Sequence, residues 1–171
     1  MEGAGAIADV LFGDVNPSAR LPFTYPRYPN ALVLDDHRFT ETLDTGFDRK
    51  PTAFTPQFPF GTGLSYTTFA YSDLVVNHLE ARVTVTNTGT RAGRDIVLVF
   101  THQHYASLAP AMRRLARFEG VDLAPGASRV VTFTLTKDDL AYIGQDGRPV
   151  FEPGAFDVMV GDLTRTFTVD P

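Results

Sequence analysis

Leu79-Glu80-Ala81-Arg82-Val83-Thr84-Val85-Thr86 alternates apolar and polar side chains without an error. A period of two sends successive side chains to opposite faces, the pattern of a strand with one buried and one wet face. Asn87-Thr88-Gly89 follows with turn chemistry. Upstream, the same periodicity begins near Tyr71. Downstream, residues 94–101 form a β-branched run that is mostly apolar on both faces and so suits a central strand. A further strand falls at about residues 115–121. Leu123-Ala124-Pro125-Gly126 is a turn, after which Val131, Phe133 and Leu135 face one way and Thr132 and Thr134 the other. Glu152-Pro153-Gly154 is the next turn. Beyond it Phe156, Val158 and Val160 alternate with Asp157 and Met159, and residues 164–169 close the set. About seven strands separated by Gly/Pro turns predict an antiparallel β-sandwich.

The chain before Tyr71 reads differently. Seven of the twelve prolines fall there: Pro17, Pro22, Pro26, Pro29, Pro51, Pro56 and Pro59. Proline lacks the amide donor and fixes φ, so helices and central strands are excluded from most of this stretch. Residues 3–12 alone read as a helix, with Ala4, Ile7, Ala8 and Leu11 on one face and Gly13 as its stop. That face is expected to have nothing covering it. A short strand at residues 21–25 is expected to belong to a parallel sheet whose other strands come from elsewhere. The same argument applies to Phe54, Phe58, Phe60, Tyr66 and Phe69, which are too many aromatics for the sandwich to bury. The first 70 residues look like part of something larger.

Composition narrows the function. At 171 residues, 43% hydrophobic and 12% aromatic, the chain can bury a real core. Fifteen basic against 20 acidic side chains leave no surplus to neutralise phosphates, so nucleic acid is not an expected partner. No apolar run approaches the roughly 20 residues of a membrane helix, and no membrane partner is expected. The opening residues have no basic segment of the signal-peptide kind. Without cysteine there is no disulfide scaffold, thiolate site or cysteine nucleophile, and tryptophan is absent too.

Several motifs hold residue types capable of chemistry. Gly61-Thr62-Gly63-Leu64-Ser65-Tyr66 begins like a dinucleotide loop, but Tyr66 stands where the third glycine belongs. Neither flanking glycine of a nucleophile elbow surrounds Ser65. His102 and His104, two apart at a strand end, could begin a zinc site, yet no third ligand lies nearby in sequence. Arg113, Arg114 and Arg117 read as a solvated edge with carboxylates such as Glu119 for partners. Glycoside hydrolysis needs two opposed carboxyl groups. Asp35, Asp36, Glu41, Asp44 and Asp48 supply candidates, but no pair is set opposite another, and loop solvation is their best reading.

Ala6-Ile7-Ala8-Asp9-Val10-Leu11-Phe12-Gly13-Asp14-Val15-Asn16-Pro17-Ser18-Ala19-Arg20-Leu21-Pro22 resembles the end of the α/β-sandwich domain in glycoside hydrolase family 3. Phe58-Pro59-Phe60-Gly61-Thr62-Gly63-Leu64-Ser65-Tyr66-Thr67-Thr68-Phe69 resembles that family's signature leading into its C-terminal domain. The remainder is similar to its fibronectin type III-like domain, so the resemblance runs through the whole chain in order. It implies a mainly β chain in three parts. Residues 1–30 would be the helix-strand end of an α/β-sandwich domain, residues 31–70 a Pro-rich linking segment, and residues 71–171 an antiparallel fibronectin type III-like sandwich.

The resemblance also implies a β-glucosidase-type, exo-acting, retaining parent, periplasmic or secreted. Its partners would be the upstream catalytic domains of the same polypeptide and a β-glucoside or oligosaccharide substrate. In that family the nucleophile is an aspartate on an N-terminal barrel, and the acid/base, commonly a glutamate, precedes the first motif quoted. Neither position falls in this chain. No catalytic, cofactor-binding or metal-binding residue is therefore assigned, no cofactor is expected, and the chain alone is expected to be inactive. Met1 would be internal or mark a truncated frame, with the gene extending upstream, and the sandwich would act as a structural buttress.

Two positions depart from the family pattern. Ala19 replaces the usual glycine, a strained choice if that site has φ > 0. Gly46-Phe47-Asp48, with Arg49 one place later, replaces Gly-Tyr-Arg. The rival reading is a free-standing sandwich module that binds glycans or proteins, with Tyr105 or Tyr142 as stacking platforms. The long N-terminal appendage argues against it.

Overall fold

The computed structural model describes residues 3–27 and 56–170. Helix α1 (Gly3–Phe12) spans the predicted residues. It ends at Gly13, whose φ of +84° is the left-handed geometry that a helix C-cap requires. None of its residues is buried; Leu11 is 72% and Phe12 84% exposed. The apolar face is uncovered, as the sequence predicts. The strand expected at residues 21–25 is corrected. Only β1 (Tyr25–Pro26) enters a ladder, and it pairs antiparallel with β2 (Pro56–Phe58), Tyr25 opposite Phe58. Pro22 and Pro26 donate no amide and cut the ladder short. Phe58 and Tyr66 stay largely exposed, whereas Phe69 packs on the core and Phe60 lies edge-on to Phe100.

From Phe69 onward, alternation becomes two packed sheets. One holds β3 (Phe69–Asn77), β4 (Glu80–Asn87) and β7 (Ser128–Thr134), in the order β3-β4-β7. The other holds β5 (Gly93–Gln103), β6 (Arg114–Leu123), β10 (Gly154–Val160) and β11 (Leu163–Val169), in the order β11-β10-β5-β6. The long connection from β7 to β10, which carries the chain from one sheet to the other, contains α2 (Lys137–Leu140) and a small ribbon of β8 (Tyr142–Ile143) with β9 (Pro149–Val150). Among the described residues every ladder is antiparallel.

The core joins the inward positions of both sheets. Ala81, Val83 and Val85 of β4 stack with Val131 and Phe133 of β7, and face Val97, Val99, Phe156, Val158 and Val160 of the second sheet. Each buried Val or Phe contributes about 1.5–3 kcal/mol. The predicted inward sets 131/133/135 and 156/158/160 are all buried. Among the described residues, no helix is long and apolar enough to cross a membrane.

Ala19 does not carry the strain its departure raised. Among the described residues only Asp73 and His78 are non-glycines with positive φ. Alanine is thus compatible with the backbone here and restricts the unfolded chain more than glycine does. Ala19→Gly is expected to lower stability by about 0.4–1 kcal/mol, read as a shift in urea midpoint at constant slope. A gain would show that the position favours glycine after all.

Candidate functional site: the joint between helix segment and sandwich

The two family-like motifs meet on one end of the sandwich. Asn16 lies between them. Its Oδ1 accepts from Ser65 Oγ at 2.9 Å and from the Tyr66 amide at 2.8 Å, while its Nδ2 donates to Ala92 O at 3.0 Å. A side chain at position 93 would stand 2.7 Å from that Nδ2, so glycine is what lets the Asn16 side chain approach the start of β5. Leu21 and the glycine-rich loop exchange backbone bonds, Leu21 N to Thr62 O at 2.8 Å and Gly61 N to Leu21 O at 2.9 Å. The Phe60 amide donates to the buried Thr24 Oγ1 at 3.1 Å.

The C-terminal end of α1 is held from the sandwich side. Tyr66 Oη donates to Val10 O at 2.6 Å, and Arg91 Nη2 donates to Gly13 O at 3.1 Å. A cation and a hydroxyl there satisfy carbonyls the helix cannot, and the cation complements the negative end of its dipole. Arg91 also sits over the Tyr66 ring, 5.6 Å from its centre.

Asp95 is the electrostatic centre of the joint. It is fully buried, and its two carboxylate oxygens are divided between Arg20 Nη2 and Tyr71 Oη. Tyr71 lies on β3 and Asp95 on β5, so this hydroxyl ties one sheet to the other, while Arg20 ties both to the N-terminal segment. Arg20 Nη1 further donates to Gly63 O at 3.1 Å. Burial, and then the bond and negative charge of Asp95, push the Tyr71 phenol well above the ordinary tyrosine range, Arg20 opposing. Sequence reasoning missed Asp95. The available signal was an acidic residue opening an otherwise apolar strand.

The other candidate residues are placed as follows. Asp35, Asp36, Glu41, Asp44, Asp48 and the Gly46-Phe47-Asp48 departure lie outside the described residues. Ser65 bonds Asn16, and its loop serves the joint. The histidines gain a partner that sequence proximity concealed. β10 brings Asp157 opposite His102, and His104 Nε2 lies 2.9 Å from Asp157 Oδ1. His102 Nδ1 meets Ala111 O at 2.8 Å. Among the described residues, no three His, Cys, Asp or Glu side chains group as metal ligands.

The arginine cluster is corrected. Arg117 pairs with Asp139 at 2.6 Å rather than with Glu119, and Arg114 donates to Ala141 O. Arg113 lies over Phe100. β6 is an edge strand, as the cluster suggested.

Burial works to raise the Asp157 carboxyl, but bonds from Thr166 of β11 and from His104, with the charges of His104 and His102, outweigh it and hold the group below the usual carboxylate range. A depressed folded pKa gives stability present above the unfolded value of about 3.9 and lost as pH falls through the folded value. The melting temperature is expected to drop in that acid window, and Asp157→Asn to flatten the drop. An identical acid profile in the variant would remove Asp157 from this role.

The architecture is a β-sandwich bonded to a helix-bearing N-terminal segment, and relatives carry the same order. Residues 1–66 match the glycosyl hydrolase family 3 C-terminal domain, and residues 95–164 match the fibronectin type III-like domain. The chain is 36% identical to a lysosomal β-glucosidase of Dictyostelium discoideum and to a periplasmic β-glucosidase of Salmonella typhimurium. In each case 94% of the chain aligns, to 21% and 23% of the relative. The solved β-glucosidase EmGH1 of Erythrobacter marinus superposes with a TM-score of 0.85 at 34% identity, over 97% of this chain and 23% of that one. This chain belongs to glycosyl hydrolase family 3 and corresponds to that family's C-terminal region. It spans less than a quarter of the length of these relatives.

Proposed function

We propose that the chain is the C-terminal part of a retaining, exo-acting β-glucosidase-type hydrolase, and that its sandwich buttresses catalytic domains N-terminal to it in the same polypeptide. Residues 1–30 would complete the α/β-sandwich domain, residues 31–70 link, and residues 71–171 form the buttress. The substrate would be a β-glucoside or oligosaccharide. The nucleophilic aspartate would come from a barrel and the acid/base glutamate from the sheet domain, with no catalytic residue among these 171.

The joint carries this reading. Asn16, Arg20 and the end of α1 are all held by side chains or carbonyls of the sandwich and its leading loop, which fixes where the helix segment lies. The uncovered apolar face of α1 supports a neighbouring domain beyond it. A buttress of this kind supplies orientation, and small misplacements of a site can reduce turnover about 100-fold.

Two measurements test it. The purified chain is expected to release no product from aryl β-glucosides above a buffer blank. Turnover that survives repurification and disappears with Glu41→Gln or Asp44→Asn would mean that the chain has its own site. In the complete polypeptide, Asn16→Ala with Arg20→Ala is expected to lower kcat/KM about 10- to 100-fold. Unchanged kcat/KM, with amide exchange showing the joint open, would end the buttress role.

A further inference from the structure

The outer face of β5 floors a cavity that borders the joint. Ile96, Leu98 and Phe100 line it from below, Phe60 stands edge-on to Phe100 with ring centres 6.2 Å apart, and the space between them is about 200 Å³. Three polar side chains reach its rim: Arg20, Tyr71 and Arg113. The first two are matched, because both bond Asp95. Arg113 is not. Its guanidinium carbon lies 3.9 Å from the centre of the Phe100 ring, and its Nε is buried with no hydrogen-bond partner. Among the described residues no carboxylate forms an ion pair with it, Asp162 acting only from a distance.

A half-buried guanidinium with an unpaired N–H is unusual, since nearly all buried donors in folded proteins are satisfied. Desolvation disfavours its charge, and burial pulls its pKa below the ordinary arginine range, Asp162 opposing. An anion in the cavity would satisfy both the donor and the charge. The local balance selects its type. Arg20 is neutralised by Asp95, so one uncompensated cation remains, which suits a monoanion. The walls are aromatic and aliphatic, which suits an apolar carbon skeleton behind it. Guanidinium donors in a planar fork match the two oxygens of a carboxylate.

We propose that the cavity beside Arg113 is a carboxylate-binding site, with Arg113 as the anion receptor and Phe60 and Phe100 enclosing the carbon chain. The carboxylate is either a free small acid or an aspartate or glutamate side chain of a polypeptide packed over this face.

The test follows the Arg113 Nε–H resonance of the 171-residue chain during titration with acetate, propionate and the α-amide of N-acetylglutamate, against chloride at equal ionic strength. Saturable movement with the carboxylates but not with chloride is expected, at least tenfold weaker when binding is read by melting temperature in Arg113→Met. Arg113→Lys, which keeps the charge but loses the fork, is expected to fall between them. Tighter binding of the glutamyl amide than of propionate assigns the site to a side chain, and the reverse order assigns it to a free acid. Either order supports the site. No movement with any of the three, equal movement with chloride, or full binding by Arg113→Met would overturn it.

Discussion

Asp95→Ala is expected to destabilise the chain by about 3–5 kcal/mol, the range seen when one partner is removed from a buried ion pair. Asp95 has no exposed surface, and Arg20 retains only 28% side-chain exposure, so solvent screens the pair weakly. Truncation leaves the Arg20 guanidinium beside a void and the Tyr71 hydroxyl without its acceptor. The loss should be read from chemical denaturation, where a shift smaller than about 1 kcal/mol would mean that water replaces the carboxylate without difficulty. The companion variant Arg20→Met with Asp95→Leu is expected to recover much of the loss, because apolar replacement of both partners leaves no charge unpaired. Alkali should attack the same place. With its folded pKa raised, Tyr71 contributes stability that is complete below the unfolded value of about 10 and is lost as pH rises through the folded value. Tyr71→Phe should lack that alkaline loss.

The sandwich was legible because each of its strands buries one face, and burial of one face writes a period of two into the sequence. Residues 79–86 and 156–160 could hardly be read otherwise. What escaped reading obeys other rules. The bulge in β3 places Asp73 at φ 54° between paired segments, and only local geometry shows it. The turn of α2 did leave a signal, because Thr136 and Asp139 are spaced as a capping box and bond reciprocally. That same Asp139 then takes Arg117, which displaced the expected pairing with Glu119. The joint was visible as two motifs but not as a contact. Arg20 and Asp95 stand 75 positions apart, and no periodicity links them. The strand at residues 21–25 failed for a local reason: Pro22 within it and Pro26 just after it leave too few donors for a longer ladder.

Asn87→Asp is expected to be worse than Asn87→Leu at neutral pH, although aspartate is the closer match in shape. Asn87 is fully buried and uses both ends of its amide. Oδ1 accepts from Thr67 Oγ1 at 2.7 Å and from the Gly89 amide at 3.1 Å, and Nδ2 donates to Arg91 O at 2.8 Å and Leu123 O at 3.0 Å. Leucine abandons all four partners, and with unsatisfied buried groups worth about 1–3 kcal/mol each, a loss of about 3 kcal/mol or more is expected. Aspartate keeps the two acceptor bonds but turns a negative oxygen toward two carbonyls in a fully buried site. Burial and those carbonyls must raise its folded pKa above the unfolded value of about 3.9. The aspartate variant should therefore regain stability as pH falls through the folded value, since a protonated carboxyl can donate to one carbonyl. The leucine variant has nothing there to titrate. Both should also loosen the end of α1, because the carbonyl that Asn87 holds belongs to Arg91, whose guanidinium bonds Gly13. Denaturation across pH, with amide exchange at residues 13–16, separates these outcomes. An aspartate variant at least as stable as the leucine one at pH 7 would show that Leu123 and Arg91 find other donors, and that the turn depends on shape rather than on the amide.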